Sequence, residues 1–297
     1  MEKLGVTVHQ IRLAKGLTQQ EVYGGIVSRS FANRFEHGQN DIGASKLFMV
    51  LDNLGVSADE LRFIQRGYQP TELDQALAQT RAYYEQLNFP ALATWVREHR
   101  NSPTAHEQLV ASYNNLLLRA YDHKHVQLTP TTQVVYDHLL NTETWTLQEL
   151  KLIDALVPLI ASKEGLAALS QLTAKVEKNC RHYLTRWGDP WRTYEILLDY
   201  YGTLFQVDLN YQNFAAAKRI KVKLDYVAPA SLTWDGRLVR QIWLGIWALF
   251  FGDAAAGQAT IDEVLALERR YRPTIDNTLY QIVAVRTKQA RAYRQKR

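Results

Sequence analysis

The sequence contains a single cysteine, Cys180, so no intrachain disulfide can form and no thiolate metal site can be assembled. A reducing cytoplasm is the compartment this favours. With no second thiol to resolve an oxidised sulfur, Cys180 reads first as a small buried hydrophobe and only second as a redox switch. No apolar run reaches the ~20 residues of a membrane-spanning helix. The most apolar stretch, Ile242 to Phe251, reads as a buried helix, and the N-terminus Met1-Glu2-Lys3-Leu4-Gly5 enters a helix without a secretory-signal pattern. Strand alternation and glycine-rich phosphate loops are missing from residue 71 onward. The carboxylates Asp262, Glu263 and Glu143 have no serine, cysteine or histidine set around them, so no enzyme is expected. His123-Lys124-His125 is expected to be a loop and not a metal site, because alternate helical residues diverge by about 200° and no carboxylate or cysteine completes a ligand set. No cofactor is called for.

What is present is an ordinary globular composition, 46% hydrophobic and 22% charged over 297 residues, which argues against disorder. That length accommodates one small and one larger domain. A net charge of +5 is compatible with nucleic acid without requiring it. Residues 1–70 hold eight Lys or Arg against seven Asp or Glu, so any case for DNA must come from pattern and not from bulk charge.

That pattern lies between Val6 and Leu54. Thr18 and Glu21 have capping-box spacing, which starts a helix expected to end near Ile26 and Val27. Ser28 is a second N-cap, and Arg29 to His37 has helical spacing with Phe31 and Phe35 pointing inward at i, i+4 until Gly38 stops it. The opposite face then carries Arg29, Ser30, Asn33 and Arg34. Arginine can grip guanine bidentately, asparagine can pair with adenine, and the Ser28 and Ser30 hydroxyls reach base or phosphate oxygens. The arrangement is that of a helix-turn-helix, although a shape of this kind also occurs in helical domains that bind no DNA. Ser45 to Leu54, with Leu47, Val50, Leu51 and Leu54 on one face, gives a fourth helix; Ser57 and Glu60 open a fifth. Gly67-Tyr68-Gln69-Pro70 breaks the pattern. The expected organisation is a DNA-binding domain over 1–66, a linker at 67–70, and a helical domain over 71–297.

The wording Ser28-Arg29-Ser30 and Arg34-Phe35-Glu36-His37-Gly38 resembles the phage-repressor (XRE) class of helix-turn-helix, and within it the Rgg/GadR/MutR transcriptional regulators. The resemblance implies a lambda-repressor-like domain in which Arg12 pairs with Glu36. It also implies that Gln19 holds a phosphate and that Ser28, Arg29, Ser30 and Arg34 face bases. His37, where the class usually has an arginine-like or polar residue, marks a further phosphate contact. A second match is the stretch Asp137 to Leu150, which carries that family's tryptophan and glutamate at Trp145 and Glu149. The family joins its helix-turn-helix to a tetratricopeptide-like domain that dimerises and, in many members, binds short signalling peptides inside the cell.

Independently of that resemblance, residues 71–297 show nearly unbroken helical periods. Helices are expected near 71–88, 90–100, 104–122, 130–140, 146–161, 163–186, 190–208, 212–227, 235–251, 254–270 and 274–296, with Thr129-Pro130, Thr146-x-x-Glu149 and Asp189-Pro190 at starts. The stretch Tyr211 to Ala217 is echoed by Phe251 to Gly257: an aromatic, a polar turn and small residues that let paired helices pack closely, as in stacked hairpins. The fold class is therefore all-α. Stacked hairpins offer a concave face, and Asn114, Arg119, Tyr194, Tyr201, Arg240, Trp243 and Trp247 are the residues that could line it for a peptide; for each, burial in the core is the competing reading. Arg286, Lys288, Arg291, Arg294, Lys296 and Arg297 form an acid-free tail, read first as complementing a helix C-terminus and alternatively as a phosphate contact.

Together these readings point to a cytoplasmic homodimer that binds double-stranded operator DNA under control of a short peptide. The alternative is a regulator without a peptide ligand, its helical domain serving as a dimerisation or interaction scaffold.

Overall fold

The computed structural model describes residues 2–121, 130–271 and 277–296, and these fold as helices and turns with a lone bridge between Thr185 and Gly188. The expected loop at His123-Lys124-His125 lies outside the described residues. Two compact units divide the chain, Met1–Ala78 and Gln79–Arg297.

The first unit is built from α1 (Leu4–Ala14), α2 (Gln19–Tyr23), α3 (Arg29–Glu36), α4 (Ala44–Leu54) and α5 (Ala58–Gln65), and it includes the first turns of α6 (Glu72–Glu85). Val8, Val22, Ala32, Phe35 and Val50 are fully buried at its centre. The Thr18–Glu21 capping box forms: the Glu21 amide donates to Thr18 Oγ1 at 3.2 Å and the Thr18 amide to Glu21 Oε2 at 2.7 Å. α2 ends at Tyr23, short of Ile26, because Gly24 takes ψ 128 and Gly25 φ +75, leaving the helical region. Phe35 is fully buried whereas Phe31 is only half-buried at the core's edge. α1 crosses α3 so closely that a Cβ on Gly5 would lie 1.7 Å from the Phe35 carbonyl oxygen, so only glycine fits there. After α5 the chain turns through Gly67 and Tyr68, both at positive φ, and Thr71 and Asp74 cap α6 reciprocally at 3.1 Å.

The second unit contains α7 (Phe89–His99), α8 (Ala105–Tyr121), α9 (Pro130–Asn141), α10 (Leu147–Leu150), α11 (Leu156–Lys163), α12 (Leu169–Arg181), α13 (Thr193–Asn210), α14 (Phe214–Tyr226), α15 (Trp234–Phe251), α16 (Ala254–Tyr271) and α17 (Asn277–Gln295). Successive helices pair as hairpins, α7 with α8, α13 with α14 and α15 with α16, and α14 and α17 both pack on α15. The α15–α16 contact depends on two glycines: a Cβ on Gly257 would meet the Gly245 carbonyl oxygen at 2.7 Å, and one on Gly245 would meet Ile261 at 2.7 Å.

Three expected helices differ from those observed. The segment 146–161 is not continuous, because Pro158 has no N–H for the Asp154 carbonyl; the chain instead passes from α10 through a 3-10 turn at Ile153–Ala155 into α11. The segment 163–186 is interrupted by Gly165 at φ +85, and α12 stops at Arg181. Pro190 does not start α13. Arg192 takes φ +56, and Asp189 reaches past it to accept from the Tyr194 amide at 2.7 Å and the Thr193 hydroxyl at 2.9 Å.

Trp145 anchors the middle of this unit. It is fully buried, its Nε1 donates to Leu139 O at 3.0 Å, its own amide donates to buried Asn179 Oδ1 at 2.7 Å, and Lys175 Nζ lies 4.4 Å from the ring centroid. Cys180 is fully buried and burial pushes its thiol up to about 12, so it packs as a hydrophobe. No helix among the described residues is long and apolar enough to cross a membrane, and no group of three His, Cys, Asp or Glu is placed to hold a metal.

Candidate functional site

In the first unit the recognition face starts from a buried carboxylate. Glu36, the last residue of α3, receives Arg12 as a two-pronged pair: Nε to Oε1 at 2.7 Å and Nη2 to Oε2 at 2.8 Å. His9 Nδ1 donates to Oε2 at 2.8 Å and Gln19 Nε2 at 2.9 Å, while Arg12 Nη1 reaches Leu17 O at 2.8 Å. Burial alone would raise the Glu36 carboxyl; Arg12, Gln19 and His9 outweigh it and bring it down to about 2. The network ties α1, the start of α2 and the end of α3 into one rigid body. Gln19 thus has its side-chain amide on Glu36, which fixes the start of α2 against the end of α3.

With α3 fixed from behind, Ser28, Arg29, Ser30, Asn33 and Arg34 are all exposed on its outer side. Ser28 is the N-cap, its Oγ accepting from the Phe31 amide at 3.3 Å. Ser30 Oγ accepts from Arg34 Nη1 at 3.0 Å, so the second arginine is braced one turn away. Arg29, at the N-terminal end, has no protein partner among the described residues and projects freely. His37 Nδ1 donates to Asn33 O at 2.7 Å, leaving Nε2, an acceptor in the neutral ring; only a protonated His37 could donate to a phosphate.

The aromatic and polar residues singled out in the second unit do not converge. Asn114 is buried and donates to Val110 O of its own helix at 2.8 Å. Buried Arg240 closes the end of α14, Nε to Leu224 O at 2.9 Å, and Trp247 Nε1 donates to Lys218 O at 2.8 Å. Trp243 lies flat on α13, where a Cβ on Gly202 would come within 2.5 Å of its ring. Tyr194 is half-buried against Tyr226, and Tyr201 is buried with its hydroxyl on Glu177 at 2.9 Å, beside a separate cavity of 240 Å³. The Arg119 side chain lies outside the described residues. Arg240, Trp243 and Trp247 are packing and capping residues, held between α15 and the neighbouring α13 or α14, and Tyr201 ties α13 to α12.

A groove along α13 is lined by other residues than those. Asp199, Thr203, Gln206 and Asn210 form a polar stripe at i, i+4, i+7 and i+11 along α13, a helix otherwise buried through Leu197, Leu198, Tyr200, Leu204 and Phe205. Thr203, Gln206 and Asn210 line an open cavity of 330 Å³ together with Asp154, Pro158, Tyr84 and Leu117 on one side and Gln281, Ile282, Val285 and Arg286 of α17 on the other. That volume falls in the range of small-ligand sites. Desolvation pushes the Asp154 carboxyl up to about 6. Asp199, one turn before Thr203, is exposed and stands outside the cavity lining; desolvation and the charges of Asp154 and Glu195 raise its carboxyl. Arg286, 4% exposed, is lowered by burial to about 10; Nη1 bonds Asn210 and Gln289, both at 2.7 Å, and Nη2 bonds Gln206 O at 3.2 Å. The rest of the basic tail is split in role: Arg294 donates to Leu249 O at 2.7 Å and Ala248 O at 3.0 Å, closing α15, while Lys288, Arg291 and Lys296 are exposed.

Residues 8–61 match the HTH_3 helix-turn-helix family. Over 99% of both chains, the structure aligns with a protein of Listeria monocytogenes EGD-e, provisionally described as a transcriptional regulator, at TM-score 0.73 and 20% identity. The SHP pheromone receptor Rgg2 of Streptococcus dysgalactiae aligns over 99% of this chain and 100% of its own, at TM-score 0.64 and 17% identity. PrgX, solved as its complex with cCF10, aligns over 97% of this chain and 99% of its own, at TM-score 0.63 and 13% identity. The chain has the fold of Rgg2 and PrgX. No curated protein sequence matches it. Within that fold, polar groups converge on the exposed face of α3 and in the groove between α13 and α17.

Proposed function

We propose that this protein is a homodimeric, sequence-specific transcriptional regulator whose DNA affinity is controlled by a short intracellular peptide bound in the second unit. The observation that carries the reading is the outer face of α3: Arg29, Ser30, Asn33 and Arg34 exposed together on a helix fixed from behind by the Arg12–Glu36 pair. Its match to a helix-turn-helix family supports DNA as the partner, and the fold shared over the whole chain with a pheromone receptor supports a peptide as the effector. The groove along α13 supplies the place, with amides and hydroxyls able to pair with an extended backbone. The chain acts by binding and not by catalysis. In the dimer two α3 helices read two half-sites, and the effector changes their spacing or rigidity.

DNA binding is tested by titrating the full chain on DNA upstream of its own gene and on random DNA across a salt series. Arg29→Ala is expected to cost about 1–3 kcal/mol on the specific site and to relax preference at one base position. Equal loss on random DNA would reduce Arg29 to a phosphate contact, and equal wild-type affinity for both DNAs would refute sequence-specific binding.

A further inference from the structure

A second cavity, open and with a volume of 620 Å³, lies over α13 between α12 and α14. α13 presents Leu204 and Asp208 to it, whereas Gln206 and Asn210, about half a turn round the same helix, line the groove at α17. Four charged side chains line the second cavity, and two of them cancel: Lys223 Nζ lies 2.6 Å from Glu177, which also accepts from the Tyr201 hydroxyl. The other two, Asp208 and Arg219, form no ion pair with each other or with any described residue.

Asp208 is an unusual place for a charge. It is 5% exposed and sits in the last turn of α13, where the carbonyl end of the helix dipole opposes an anion. Asn213 Nδ2 donates to its Oδ1 at 3.0 Å, which accounts for one oxygen. Oδ2 accepts no hydrogen bond from the described residues, yet it is not sealed from solvent, so it opens into the cavity. Desolvation, opposed by Asn213 and the charge of Arg219, brings the carboxyl up to about 6, and it is still mostly ionised at pH 7. Buried carboxylates ordinarily have their charge matched and their lone pairs filled. Arg219, exposed on α14 one turn before Lys223, makes no hydrogen bond and has its donors unspent at the same cavity. One negative and one positive group therefore face a shared space without meeting, and apolar Leu169, Leu204 and Ile220 lie between the helices that carry them.

We propose that this cavity is a second ligand site, separate from the groove at α17, which takes a small zwitterion with an apolar side chain: its ammonium on Asp208 Oδ2, its carboxylate on Arg219, and its side chain on Leu169, Leu204 and Ile220. A free α-amino acid and a dipeptide share that chemistry. A ligand with a carboxylate alone would meet the unmatched charge of Asp208, and one with an ammonium alone would leave Arg219 unused.

The test is calorimetric titration of the full chain at pH 7 with leucine, leucyl-leucine, glycine, isoamylamine and isocaproate. Leucine or leucyl-leucine is expected to bind about tenfold or more tightly than isoamylamine or isocaproate, which each carry one of the two charges. The tighter of the two zwitterions identifies the source, and glycine should bind about tenfold or more weakly than leucine because it lacks the side chain. Arg219→Gln, a change at an exposed position, should bring the preferred zwitterion down to the level of isoamylamine, and Asp208→Asn down to the level of isocaproate. Ala216→Trp, which fills the cavity from α14 and leaves both charges in place, should abolish binding. Isoamylamine binding as tightly as the zwitterions would overturn the assignment. So would a zwitterion whose affinity ignores both Arg219→Gln and Asp208→Asn, since it would then sit elsewhere, as would no binding of either zwitterion at millimolar concentration.

Discussion

Replacing Glu36 with alanine should unlock α3, the helix proposed to read DNA. Glu36 accepts four hydrogen bonds in the first unit, two from Arg12 and one each from His9 and Gln19, and its removal strands the guanidinium of an arginine that is 7% exposed. Breaking one side of a buried pair typically costs about 3–5 kcal/mol. The depressed carboxyl points to a similar size: a value of about 2 rather than 4.5 corresponds to about 3 kcal/mol of preference for the ionised form in the folded state. A unit of this size has roughly 4–12 kcal/mol in all, so the substitution removes a large share. Because the folded value is depressed, this stabilisation is fully present above pH 4.5 and is lost as pH falls through about 2. All seven tryptophans lie beyond residue 78 and report only on the second unit, so the assay is hydrogen exchange of the amides of residues 19–36. Exchange should accelerate about a hundredfold or more in the variant at pH 7, given 1.4 kcal/mol per tenfold. Unchanged protection would refute the view that this network fixes α3.

Gly5→Ala should be at least as damaging, because its Cβ would be forced to 1.7 Å from a backbone oxygen that no side-chain rotation can move; loss of operator binding without any change to the α3 face is the expected result, and full binding would contradict the close crossing. Trp145→Ala should cost about 3–5 kcal/mol and lower the melting temperature of the second unit, with tryptophan fluorescence of the remaining six residues as the probe. Asp154→Asn should stabilise the second unit at pH 8 and have no effect near pH 4. A carboxyl raised from 3.8 to about 6 destabilises the fold progressively as pH rises through that window, and the amide does not titrate. Equal melting of the two proteins at pH 8 would remove desolvation as the cause.

The first unit was largely legible because its signals are local. Thr18 with Glu21, Ser28 before Arg29 and Ser57 with Glu60 are capping patterns a few residues long, and each places a helix start. Less legible there were a glycine pair, Gly24 and Gly25, that ends α2 early, and the bond from Gln19 to Glu36, which depends on where Glu36 arrives from another helix. In the second unit the helical periods were readable, but aromatic residues at helical spacing do not say which helix they touch. Trp243 was a plausible groove residue until Gly202 proved to be the surface it covers. The better signal was present and overlooked: four polar residues at i, i+4, i+7 and i+11 interrupting the apolar α13. Arg286, read as part of a charged tail, is buried at the groove because α17 packs on α15 and brings it against Asn210 and Gln206.

Coupling of DNA reading to occupation of the groove is measured directly as operator affinity of the full-length protein with and without a saturating peptide that binds the second unit. A shift of about 5- to 150-fold is expected, matched by an equal shift in peptide affinity when operator DNA is saturating, as linkage requires. A peptide that fills the groove and leaves operator affinity unchanged would contradict it.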